Sequence, residues 1–375
     1  LTFGPSLLLL EVGGSQRLFG GVRTLLTRVV REAGQLGYGV RHALAPTPIA
    51  AAIYGATPEG NFEGANNLHR FHDLTAVAEH FDLSLEELAE RRATIDRRLR
   101  AVRATRVPPE RDDKIVAAWN GLAVRTFAEA GAVLEESRYL ERARSIAGFL
   151  TTVASPDGRL VRSWRDRPGH PAFAEDLAGV AVGLYTLYSV TGDAEWFGHA
   201  ERMVADLRAR FAAESGGFHS TAEGTELFTR PVDTQDNPTP STNALALEAL
   251  LMHSAYTGDL AARSEATATM RAIAGTAMQY PLFGGYGLAV WLTLLAGIDE
   301  IAIVGIDTSA MERVIWDTFR PNAVVALGDG SPTEVPVLAD RPLADRTRAY
   351  VCRDLVCDLP VDTPTALATR IGVPA

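Results

Sequence analysis

Cysteine is nearly absent. Only Cys352 and Cys357 occur in 375 residues, which excludes a disulfide-dense secreted scaffold. Lysine is scarcer still: Lys114 is the single lysine among 36 basic residues, and the rest are arginine. Arginine and lysine differ in geometry and in how readily they lose a proton, so the one retained lysine is a candidate for chemistry. Positive charge is in deficit. A net charge of −10 argues against a broad phosphate-binding surface, and no nucleic-acid partner is expected. No apolar run approaches the ~20 residues of a membrane-spanning helix, so no membrane partner is expected. Residues 7–10 are apolar but lack a basic stretch before them and make a poor signal peptide, so the expected location is cytoplasmic. There is no Cys-x-x-Cys and no phosphate-binding loop. Gly13-Gly14 and Gly20-Gly21 lack the flanking strand and helix that would give them meaning. Neither a cofactor nor a metal site is expected.

What is present is a repeat. Hydrophobic residues make up 47% of the chain, and 375 residues are a soft prior for about two domains. Three segments share one plan. The first opens at Trp119-Asn120-Gly121, continues into a second helix with Leu140, Ala143, Ile146, Ala147 and Leu150 on one face, and closes at Pro156-Asp157-Gly158. The second opens at Glu175-Asp176 and closes at Gly216-Gly217-Phe218. The third opens at Ser241-Thr242-Asn243 and closes at Gly284-Gly285-Tyr286. Opening to closing distances agree: 38 residues from Asn120 to Gly158, 41 from Asp176 to Gly217, 42 from Asn243 to Gly285. Thr191-Gly192-Asp193 and Thr257-Gly258-Asp259 break the second and third units at matching points. Apolar steps of three and four residues make each half a helix. One helical hairpin cannot bury its own apolar stripe, so the units must stack.

The expected fold is therefore mainly α: an incomplete (α/α)6 toroid of helical hairpins with a small C-terminal α/β unit. Upstream, residues 74–81 and 85 to about 106 read as helices, with Ser84 and Glu87 as a capping box. Downstream, 300–305, 323–327 and 349–354 read as strands, and 309–319 and 363–371 as helices. The expected division is an unplaced segment 1–53, a partial toroid 54–297 and an α/β extension 298–375.

Five stretches together resemble a known family. They are the run from Tyr54 through Gly55-Ala56-Thr57-Pro58-Glu59-Gly60-Asn61-Phe62-Glu63-Gly64; Asp112-Asp113-Lys114-Ile115 with Trp119-Asn120-Gly121; Glu175-Asp176; Pro240-Ser241-Thr242-Asn243; and Tyr350-Val351-Cys352 with Cys357. In this order, over roughly 54–375, they resemble the thioredoxin-domain-containing proteins related to spermatogenesis-associated protein. The resemblance implies an N-terminal thioredoxin-like domain, a six-hairpin toroid similar to glycosidases and N-acylglucosamine 2-epimerases, and a C-terminal extension. The thioredoxin-like motif and the opening hairpins are missing here, so the chain is expected to be the C-terminal part of such a protein, a fragment.

In such a ring the inner helices begin at one end, where free N–H groups and positive potential gather. Asn120, Glu175, Asp176, Ser241 and Asn243 would converge there, although Asp, Asn and Ser also serve simply as helix caps. Trp119 is either a core aromatic or a sugar-stacking platform. Asp113 and Lys114, beside Asp112, form an acid/base set if buried together. Asp113 and Asp176, with Glu175 and Lys114 beside them, are the candidates for glycoside chemistry, which needs two carboxyl groups at a set separation. Trp119, Asn120, Ser241 and Asn243 are the candidates for substrate binding. An epimerase would want a histidine at an inner-helix start. None sits there: His170 and His219 fall in loops, while His199 and His253 lie within helices. Cys352 and Cys357, five positions apart on one expected strand, point to opposite faces and read as two structural thiols. Three roles stay open at this level: a carbohydrate-acting toroid, a non-catalytic module for a protein client, and an inactive piece.

Overall fold

A computed structural model describes residues 48–57, 60–70, 72–224 and 228–372, with positions 27, 28, 31, 32 and 35. The readings made on residues 7–10 and on Gly13-Gly14 and Gly20-Gly21 lie outside these. The chain divides into two compact units, Leu1–Arg111 and Asp112–Ala375.

In the first unit, α1 (Pro48–Tyr54), α2 (Leu74–His80) and α3 (Leu85–Ala104) enclose a small core of Ile49, Ile53, Val77, Leu88 and Ile95. Asp73 caps α2 by accepting the Thr75 amide. The capping box before α3 is present: Ser84 Oγ accepts the Glu87 amide and Glu87 accepts the Ser84 amide. Between α1 and α2 the chain is tied by asparagines. Asn66 exchanges two hydrogen bonds with the Thr57 backbone, and Asn61 bridges Gly55 and Asn67.

The second unit opens with β1 (Ile115–Val116) leading into α4 (Ala117–Val133) and α5 (Ser137–Thr151). Then come β2 (Ser163–Arg165) and β3 (Arg167–Pro168), which join β1 in a small antiparallel sheet. The hairpins continue with α6 (Ala174–Thr191), α7 (Ala194–Phe211), α8 (Thr242–Thr257), α9 (Leu260–Gln279) and α10 (Gly285–Ala296). Helices α4, α6, α8 and α10 lie side by side, and α5, α7 and α9 back them. This is the two-layer order of an α/α toroid, incomplete among the described residues.

Layering explains composition. Helices α6 and α8 are buried nearly all round because they have neighbours on both sides and behind. Helices α5 and α7 keep a polar face to solvent. The Thr-Gly-Asp breaks do two jobs each. Gly192 (φ +68) and Gly258 (φ +74) end α6 and α8 in the left-handed conformation that glycine adopts without strain. Asp193 and Asp259 then cap α7 and α9. The tightest packing is between α4 and α6. A Cβ on Gly183 would stand 2.2 Å from the Gly121 carbonyl oxygen, and one on Gly121 would stand 2.5 Å from that of Gly179.

The chain ends in a four-stranded sheet of order β5-β4-β6-β7. Its strands are β4 (Asp299–Val304), β5 (Ala323–Gly328), β6 (Arg348–Arg353) and β7 (Val356–Cys357). Helix α11 (Ser309–Trp316) carries the chain between parallel β4 and β5, and α12 (Pro364–Arg370) packs against α11. The sheet belongs to the same compact unit as the hairpins. Tyr256 of α8 donates its O–H to the Val325 carbonyl of β5 at 3.0 Å.

One expectation is overturned here. Cys352 and Cys357 are not free thiols on opposite faces but a disulfide. The chain reverses at Asp354 (φ +49) and Leu355 (φ +68), so the two cysteines sit on adjacent strands, directly opposite in register.

Candidate functional site

The openings of α4, α6 and α8 lie at one end of the array and are joined through backbone hydrogen bonds. Asp176, fully buried, is the link between the first two. Its Oδ1 accepts the Ala118 amide of α4 at 3.1 Å, and its Oδ2 accepts the Phe173 amide at 2.9 Å and Arg162 Nη1 at 3.2 Å. Burial pushes its carboxyl up to about 6, against the pull of those amides and of the guanidinium. The Ala174 amide then donates to Ser220, in the loop that Asn243 holds. Asn243, also fully buried, accepts the Phe218 amide at 2.7 Å and donates to the Phe218 and Asp233 carbonyls at 3.0 and 2.7 Å. Ser241 caps α8 through the Ala244 amide. Asp176, Ser241 and Asn243 therefore have their polar groups occupied by the backbone.

The other expected residues are exposed or half-buried. Trp119, on the first turn of α4, is 61% exposed and is no core aromatic. Asn120 beside it donates to the Val116 carbonyl at 2.9 Å. Glu175 is half-buried and accepts Arg162 Nη1 at 2.5 Å. Asp113 accepts Arg165 Nε at 2.6 Å, and Lys114 pairs with Asp112 at 3.2 Å. Asp112, Asp113 and Lys114 are all exposed, so the buried acid/base set that their spacing suggested is not formed. A salt bridge in water contributes ~0–1 kcal/mol. Glu175 and Asp113 remain as carboxylates open to a ligand at this end. Each is anchored by an arginine of, or next to, the small sheet.

No family model matches the chain. Spermatogenesis-associated protein 20 of Homo sapiens is 30% identical over a 336-position alignment that covers 83% of this chain and 42% of that protein. The chain is homologous to spermatogenesis-associated protein 20. It spans about two fifths of the length of the relative it matches. Among solved structures, a family 76 α-mannanase of Bacteroides thetaiotaomicron is 16% identical with a TM-score of 0.38, over 50% of this chain and 53% of that one. A cellobiose 2-epimerase of Spirochaeta thermophila is 19% identical with a TM-score of 0.34, over 43% of each chain. Both scores are too low to carry an argument about site or activity.

The structure also assembles polar groups that the sequence reading passed over. Arg125 of α4 donates to Glu129, to Glu248 of α8 at 2.8 Å and to the Tyr286 hydroxyl of α10 at 2.9 Å, so one guanidinium ties three inner helices. Asp236 caps α10 by accepting the Tyr286 amide at 2.8 Å and also accepts the Ser241 amide. At the opposite end of α8, His253 is held between Glu201 on Nδ1 (2.8 Å) and Asp259 on Nε2 (3.3 Å). Burial pulls its pKa down, but the two carboxylates outweigh it and the pKa is raised. For Asp259, burial pushes up, yet the Ala262 amide, His253, Arg208 and the Ala261 amide together hold the carboxyl at about 2. Glu248 is the only Asp, Glu, Lys or Arg of the otherwise apolar α8, the one signal readable from sequence. Among the described residues, no group of three or more His, Cys, Asp or Glu side chains is placed to hold a metal ion, and no helix is long and apolar enough to cross a membrane.

Proposed function

We propose that the leading end of the helical array binds carbohydrate, with Trp119 as the stacking platform and Glu175 and Asp113 as the carboxylates that grip or act on the sugar. The observation that carries this reading is the exposure of Trp119 on the first turn of an inner helix. A wet indole gives up burial worth ~25 cal/mol per Å² and keeps a flat, polarisable face for a ligand ring. Asp176 takes a positioning role in this reading, since both its oxygens hold backbone amides that fix α4 against α6. Hydrolysis would fall to Glu175 and Asp113, the pair of carboxyl groups such chemistry requires. The family resemblance implies a thioredoxin-like domain in such proteins, and in this reading the helical array serves beside one.

A second reading, capture of a protein partner, is favoured by α10. Its residues are mostly apolar, yet Leu292 and Leu295 are 67% and 68% exposed, and nearby Leu282 is 95% exposed. Calorimetric titration with a panel of oligosaccharides separates the two. Carbohydrate binding predicts saturable heat that Trp119→Ala abolishes, and turnover that Glu175→Gln with Asp113→Asn removes while binding persists. A wild-type protein silent to the whole panel overturns the first reading and leaves the second.

A further inference from the structure

Glu300, Cys352 and Cys357 form a row across the C-terminal sheet. Glu300 of β4 is in register with Cys352 of β6, and Cys352 with Cys357 of β7. Cross-strand partners place their side chains on one face. The two bonded sulfurs are chemically unequal. Cys352 is 2% exposed, whereas Cys357 is open to solvent. Glu300 is 1% exposed, a carboxyl buried beside a disulfide. Its Oε2 accepts the Leu355 amide at 3.1 Å, but its Oε1 is buried without a partner. An unsatisfied buried oxygen destabilises the fold, and nothing in a mere hairpin staple offsets that. Arg341 completes the group. Its Nη2 lies 3.4 Å from the Cys352 sulfur and 3.8 Å from that of Cys357, and its guanidinium covers the Tyr350 ring. A cleft of about 180 Å³ opens on these residues, with Tyr256 and Val337 on its wall.

We propose that Cys352 and Cys357 are a thiol–disulfide exchange centre that takes two electrons from a dithiol, with Arg341 stabilising the departing thiolate and Glu300 supplying its proton. The exposed sulfur sets the direction of attack. A substrate thiolate adds to Cys357 Sγ, the S–S bond breaks, and its electron pair leaves on Cys352 Sγ. The substrate is now a mixed disulfide on Cys357. A guanidinium beside the leaving sulfur favours its thiolate form. Burial raises the Glu300 carboxyl above its ordinary range, which keeps a proton available for Cys352. The charged groups facing Glu300 are Asp354, which reinforces the rise, Arg263, which opposes it, and Arg341. The second substrate thiolate then attacks its partner sulfur in the mixed disulfide and releases Cys357. The substrate ends as a disulfide, and its two protons and two electrons end on Cys352 and Cys357. Exchange through a mixed disulfide is the general route for such reactions.

The test is the rate at which dithiothreitol reduces the full chain, followed by alkylation and mass spectrometry across pH with circular dichroism in parallel. The proposal expects reduction without loss of helical signal. It expects Glu300→Gln to slow reduction roughly a hundredfold or more and flatten its pH profile, the low end of what a positioned general acid supplies. Arg341→Gln is expected to slow it as well, so the step is tested by a second, independent variant. Cys352→Ser leaves Cys357 as a lone thiol, which is expected to attack an added symmetric disulfide, release one thiol per chain and persist as a mixed disulfide because no resolving thiol remains. A disulfide that opens only where the chain unfolds, or variants that match the wild-type rate and pH profile, would mean a structural staple and overturn the proposal.

Discussion

Replacing Asp176 by alanine tests how far one side chain holds two helices in register. Asp176 is fully buried and serves two backbone amides on different helices. The Ala118 amide belongs to the first turn of α4, and the Phe173 amide precedes α6. Both are helix-end donors with no partner inside their own helix. If Asp176 were only a cap, its loss would cost about 1 kcal/mol. One buried and one part-buried amide left unpaired cost ~1–3 kcal/mol each, so the structure predicts a loss of roughly 2–6 kcal/mol. Arg162 loses one of its two carboxylate partners as well. The neighbouring Glu175 is the control. Its half-exposed pair with Arg162 is worth ~0–1 kcal/mol, so Glu175→Gln should be nearly silent. Urea unfolding followed by far-UV circular dichroism measures both. A loss below ~1 kcal/mol for Asp176→Ala, or equal losses for the two variants, would refute the idea that Asp176 latches α4 to α6.

Gly183→Ala should destabilise although alanine is the better helix former. The gain of ~1 kcal/mol in propensity is set against a Cβ placed 2.2 Å from a backbone carbonyl that cannot rotate away, so a net loss of ~1–3 kcal/mol in urea melts is expected. His253→Asn should change the pH dependence of stability. Because the folded pKa is raised, protonated His253 contributes fully below its ordinary 6.5 and that contribution is lost as pH rises through the folded value. Unfolding free energies compared below and above pH 6.5 should therefore decline less in the variant than in the wild type. Asp259 works in the opposite direction: its lowered pKa means stability lost as pH falls from the ordinary 3.8 toward about 2, a window that acid unfolding of Asp259→Asn should remove.

The helical repeat was legible because its punctuation is local. Gly192 and Gly258 must be left-handed, and the aspartates that follow must cap, so the same tripeptide marks both breaks. The strands at 299–304 and 323–328 were likewise plain from short apolar runs. Burial on every side of α6 and α8 was not, since a periodic stripe says which face packs first and not how many neighbours arrive. Close approach of α4 and α6 left a trace in Gly179 and Gly183, four residues apart on one face, whose partner Gly121 lies far off in sequence. The disulfide escaped notice for a specific reason. Hairpin turns with two left-handed residues are usually signalled by Asn-Gly or Asp-Gly, and here the pair is Asp354-Leu355. At the leading rim, the residue types at the helix starts were readable. Whether each faces the backbone or water was not, because that depends on Arg162, Arg165, Phe218 and Asp233, which meet the helices only in the fold.

The carbohydrate reading is tested most directly by 19F NMR of the chain carrying fluorinated tryptophan. Five indoles give five signals, and Trp119→Phe assigns the one that matters. Oligosaccharide is predicted to shift the Trp119 signal saturably and to leave those of Trp164, Trp196, Trp291 and Trp316 in place. A Trp119 signal that stays fixed through the titration would contradict it.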